Sequence, residues 1–103
     1  MALYVKTFKK TVTSAGTAEA LSSEKLLVTA VTLRALKTNT GDIYIGDSNV
    51  SSVDGMFISA SEVSEKSART TKYGIQKHWN LNLIYIDSDV DGEGVVVEYD
   101  IEQ

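Results

Sequence analysis

Apolar residues in this chain recur at every second position in short runs, and each run is broken by a cluster of Gly, Asn, Asp or Ser. A period of two is the mark of a strand with one buried face, because successive side chains point to opposite sides of a sheet. In one such run Val95, Val97 and Tyr99 alternate with Val96, Glu98 and Asp100. Val, Ile and Thr are abundant, and these β-branched residues suit a pleated, half-buried surface better than a helix. The chain therefore reads as all-β.

The first strand covers residues 3–13, with Tyr4, Phe8 and Val12 on one alternation and Thr7, Lys9 and Thr11 on the other. Ser14-Ala15-Gly16-Thr17 ends it. In residues 26–36, Leu27, Val31 and Leu33 share a face, the clearest core strand. Asn39-Thr40-Gly41-Asp42 reads as a turn, since Asn and Gly tolerate positive φ, and strand 43–45 is expected to form a hairpin with the strand before it. Residues 46–55 are almost all turn chemistry and form a connecting loop ahead of the apolar Met56-Phe57-Ile58. Residues 61–68 fit a polar edge strand or a single helical turn, with the strand preferred. Strands at 75–79, 81–86 and 95–101 complete the set. Ile43-Tyr44-Ile45-Gly46-Asp47-Ser48-Asn49-Val50 is echoed by Ile84-Tyr85-Ile86-Asp87-Ser88-Asp89-Val90 with one residue deleted. The echo reads as equivalent strand-to-loop corners in two sheets.

Seven or eight short antiparallel strands make a compact, jelly-roll-like β-sandwich. A length of 103 residues matches a single core, so residues 1–103 are read as one domain, with 1–10 a candidate interface arm or strand. A core this small buries about two thirds of the unfolded surface, so association between subunits is expected to help.

Composition excludes whole classes of function. With no cysteine there is no disulfide framework, no thiolate nucleophile and no Cys-ligated zinc. A net charge of -4 and a pI near 4.8 argue against a nucleic-acid backbone as partner. Lys6, Lys9 and Lys10 form the one local basic run, read as a solvated strand face. No apolar run is long enough for a membrane span, and the first residues lack the apolar centre of a signal peptide, so synthesis in a cytoplasm is expected.

The sharpest chemical motif is Asp87-x-Asp89-x-Asp91-Gly92-x5-Glu98, which satisfies the spacing of an EF-hand loop. That loop needs a helix on each side, whereas the flanks here are strand-like and Glu98 reads as a solvent-facing strand residue. Asp87, Asp89 and Asp91 are then a weak calcium candidate or, preferred, a plain acidic hairpin loop. Neither catalytic residues nor a resident cofactor are expected. The single histidine, His78, stands beside Trp79 with no Gly-x-Ser-x-Gly elbow, and Gly92-x-Gly94 leads into a β-branched run instead of a helix N-terminus. Tyr73 and Trp79 flank a polar stretch and are read as anchors of a subunit contact. Together with Tyr4, Lys6, Phe8 and His78 they make up the interface candidates.

Three segments carry a family resemblance. They are Thr11-Val12-Thr13-Ser14-Ala15-Gly16-Thr17-Ala18, the stretch from Asn39-Thr40-Gly41-Asp42-Ile43-Tyr44-Ile45-Gly46 on to Ser52, and Ile84-Tyr85-Ile86-Asp87-Ser88-Asp89-Val90-Asp91-Gly92-Glu93-Gly94-Val95. Over residues 11–97 the chain resembles small tailed-bacteriophage head decoration and capsid-associated virion proteins. It departs from the family pattern at Ala60-Ser61-Glu62, where a Pro-Gly-Glu turn is usual, and residues 68–78 look like an insertion. The resemblance implies a cement protein on the outer surface of a phage head, bound to the major capsid protein and free of any active site. Local threefold positions of an icosahedral lattice make a homotrimer the expected state. The alternative is a carbohydrate-binding or adhesin-type module of a phage fibre or tail, with Tyr73 and Trp79 as stacking platforms and calcium in the Asp87 to Asp91 loop. An enzyme with an acidic site ranks third.

Overall fold

The computed structural model describes residues 3–67, 69–70 and 76–102, and they form an all-β chain. Its strands are β1 (Leu3–Thr11), β2 (Glu19–Ala20), β3 (Leu27–Val28), β4 (Ala30–Ala35), β5 (Ile43–Gly46) and β6 (Met56–Ile58). They continue as β7 (Val63–Ser67), β8 (Arg69–Thr70), β9 (Gln76–Lys77), β10 (Trp79–Asn80), β11 (Tyr85–Ser88) and β12 (Gly94–Glu102). One four-stranded sheet runs β1-β12-β4-β7 and the other β2-β11-β5-β6, while β3 with β10 and β8 with β9 make two short ladders. Among the described residues all pairings are antiparallel. In the two larger sheets the strands pair in nested order, β1 with β12, β2 with β11, β4 with β7 and β5 with β6.

Alternation decides what lies between the sheets. Val31, Leu33 and Ala35 of β4 and Val95 and Val97 of β12 are fully buried on one side. They meet Ile43, Ile45, Ile58 and Ile86 of the second sheet, with Val12, Leu21, Val28, Leu81 and Ile84 closing the core around them. Each of the Val, Leu and Ile side chains among them contributes about 1.5 to 3 kcal/mol through burial. On β1 the residues Tyr4, Lys6, Phe8 and Lys10 pair across with Ile101, Tyr99, Val97 and Val95. Phe8 is half-buried against the core and meets the Tyr99 ring edge-to-face at 5.9 Å.

Several sequence expectations are corrected. Leu27 is 47% exposed and Val28 takes its place in the core. The alternation shifts because Thr29 donates both its amide (2.9 Å) and its hydroxyl (3.1 Å) to the Asp100 carbonyl, beside the Ala30 to Asp100 pairing. That extra residue against one partner moves the strand by half a period. Strands β4 and β5 form no hairpin, since they lie in different sheets. The buried Asn39 side chain explains the crossing: its Nδ2 donates to the Gly94 carbonyl at 2.9 Å, so the chain is tied to β12 before it reaches β5. The echoed segments are antiparallel neighbours within one sheet, with Ile45 opposite Ile86 and Tyr44 opposite Asp87. Residues 81–83 form a 3-10 turn instead of a strand, capped by the Asn80 side chain, which accepts from the Asn82 amide at 3.0 Å. The polar edge strand preferred for 61–68 is present as β7.

Candidate functional site

Three turns meet at one end of the sandwich, and carboxylates hold them together. Gly16 and Gly92 both have positive φ (92° and 80°), which places the 14–17 turn and the 89–93 turn as tight reversals. Asp87 is buried, and its Oδ1 accepts from the Gly16 amide (2.9 Å) and the Ser88 amide (2.8 Å). Asp91 accepts from the Ala15 amide at 2.7 Å. Asp89 turns the other way, accepting from the Asp42 amide (3.0 Å) and the Tyr44 hydroxyl (2.9 Å). Glu93 accepts from the Thr40 amide (2.7 Å), the Thr40 hydroxyl (3.0 Å) and the Gly41 amide (3.0 Å). Gly41 permits this approach, since a Cβ there would stand 2.6 Å from Asp89 Cβ.

The electrostatics follow from these bonds. The hydrogen bond to Asp89, with burial and that carboxylate's charge behind it, pushes the Tyr44 hydroxyl up to about 12. Donation by the Gly41 and Thr40 amides holds the Glu93 carboxyl below its ordinary range. Glu19 is lowered by its 2.9 Å bond to Lys10 first and by the Thr13 amide second. Carboxylates that accept from several backbone amides act as loop clasps.

The Asp87, Asp89 and Asp91 side chains thus go to separate partners around the three turns. Among the described residues no group of three or more His, Cys, Asp or Glu side chains is placed to hold a metal ion. Glu98 stands exposed on β12 opposite Thr7 and Thr32, as its strand position predicts.

Of the interface candidates, the structure gathers Tyr4, Lys6 and Phe8 on one face of β1. Tyr4 is 39% exposed and Lys6 Nζ lies 5.9 Å from its ring centroid. His78 is exposed, and Trp79 is half-buried opposite Val28 and packed on the core. Tyr73 lies outside the described residues.

Sequence reasoning missed Asn39, Glu93 and Glu19, because polar residues in turns look solvated until the opposing backbone is placed. It also missed two surface features. One is the exposed set Val53, Met56, Phe57 and Leu83. The other is a cleft of about 390 Å³ lined by Met56, Trp79, Leu83 and Ile84. No protein-family model matches the chain, and comparisons with curated proteins and with solved structures give no match either.

Proposed function

We propose that the chain is a structural virion protein, a capsid decoration or cement protein that binds the outer surface of a tailed-phage head and stabilises its lattice. The observation that supports this reading most is where the resembling segments lie. Turn residues from all three segments meet at one end of the sandwich, joined by the Ala15 to Asp91, Gly16 to Asp87, Asp42 to Asp89 and Gly41 to Glu93 bonds, while residues 47–52 lie beyond the other end of β5. The family-like turn residues therefore build one hydrogen-bonded unit of this fold, each carboxylate accepting from backbone amides. A lattice protein needs such fixed loops, since many identical weak contacts act together only when each is preorganised. The proposed partner is the major capsid protein, and the proposed assembly is a trimer on local threefold positions.

The test uses heads of the phage that encodes the chain, prepared without it. Adding the purified protein should raise the temperature at which the heads rupture and release DNA, and the gain should saturate with protein concentration. Heads whose rupture temperature is unmoved at saturating protein would refute the cement role.

A further inference from the structure

The nine-residue strand β1 ends its sheet, so among the described residues one side of its backbone meets no other strand. A long unpaired edge is a template for an incoming strand. Along the same side of the sandwich, between β1 and the opposite edge strand β2, lies a depression of about 500 Å³ lined by residues that include Phe8, Lys9, Ala20, Leu21, Ser22 and Tyr85. An added strand would place alternate side chains over this depression while its backbone completes the ladder.

Charge selects the occupant. Lys10 is bonded to Glu19, but among the described residues neither Lys6 nor Lys9 has a salt-bridge partner. They stand three residues apart and so on opposite faces of the strand. A strand carrying two carboxylates three residues apart would meet one lysine on each face. A second copy of β1 is the poorer occupant, because it would bring the Lys6, Lys9 and Lys10 runs of both copies into adjoining strands, and like charges across a ladder oppose pairing.

From the free edge, the adjoining depression and the two lysines we infer that β1 captures an extended, acidic segment of a partner protein by strand addition. On the decoration reading, on which this rests for the partner's identity, that segment belongs to the capsid protein. Lys6 and Lys9 select the strand by charge, and the β1 backbone supplies the binding.

The test needs no phage head. The probe is a blocked nine-residue peptide of alternating valine and threonine with two glutamates three residues apart, and its counterpart has lysines in their place. Amide hydrogen exchange of the full chain should slow selectively in residues 3–11 on addition of the acidic peptide. The Lys6→Glu/Lys9→Glu variant should bind that peptide about tenfold more weakly and prefer the lysine peptide. This charge swap separates lost selection from lost folding. Equal binding of both peptides by the natural chain, or protection outside β1, would overturn the inference. So would β1 protection that grows with protein concentration alone alongside a dimer mass, which would assign the edge to a second copy. If the natural chain binds heads but not the peptide, the strand-addition inference falls and the decoration reading stands. Peptide binding without head binding would leave strand addition in place and remove the decoration reading.

Discussion

Replacing Asn39 by Ala isolates the tie between the two sheets. Asn39 is buried, its Nδ2 donates to the Gly94 carbonyl at 2.9 Å, and its Oδ1 accepts weakly from the Gly94 amide at 3.4 Å. Leu36 donates to the same carbonyl at 3.1 Å, so the truncation leaves Gly94 with part of its bonding. Losing one good buried hydrogen bond and opening a small cavity should destabilise the fold by about 1 to 3 kcal/mol. For a chain of this length that lowers Tm by roughly 5 to 15 °C. The companion variant Asn39→Asp keeps the shape but sets a carboxylate oxygen against the Gly94 carbonyl. Its folded state then holds a proton more tightly than the unfolded chain does. The variant's deficit relative to the natural protein should be small below about pH 4, the ordinary aspartate value, and should widen as pH rises through the raised folded value. Thermal melts of the three proteins between pH 3 and pH 7 measure both effects. An Asn39→Ala variant within about 0.5 kcal/mol of the natural chain, or an Asn39→Asp deficit independent of pH, would refute the tie.

Other expectations follow from the carboxylate clasps. Gly41→Ala forces a methyl group against Asp89 Cβ and should destabilise by about 1 to 3 kcal/mol in a urea titration. Glu93 and Glu19 have lowered folded values, so their stabilisation is present above the ordinary carboxylate value near 4.5 and is lost as pH falls below it. The urea midpoint should drop through that range, and less steeply in Glu93→Gln. Tyr44 has a raised value of about 12, so its contribution holds below pH 10 and is lost between about 10 and 12. Absorbance titration should therefore show one late-ionising tyrosine that disappears in Tyr44→Phe. Light scattering after size exclusion should give three times the 11.2 kDa chain mass, unchanged when calcium is replaced by a chelator. A monomer would contradict the trimer, and a mass or melting point that depends on calcium would reopen the acidic loop as a metal site.

The all-β fold was legible because alternation in residues 95–101 and 31–35 reflects burial directly. The face of Leu27 was not, because the Thr29 shift depends on an Asp100 carbonyl that comes from the far end of the chain. The hairpin expected between β4 and β5 failed for a related reason. The Asn39-Thr40-Gly41-Asp42 residues do turn the chain, but the Asn39 and Glu93 contacts that set the direction of the turn are long-range. The acidic loop was found by its spacing. Its work as a clasp was hidden, since spacing alone does not say whether a carboxylate faces a cation or a backbone amide. Lys6 and Lys9 were visible as a basic run, and only the sheet order places them on a free edge.

Co-sedimentation with heads of the proposed source phage, prepared without this protein, tests the central claim most directly. The account predicts saturable binding at a fixed number of copies per capsid subunit, with the bound protein exposed on the outer surface to a labelling reagent. Protein that stays in the supernatant at every concentration would contradict it.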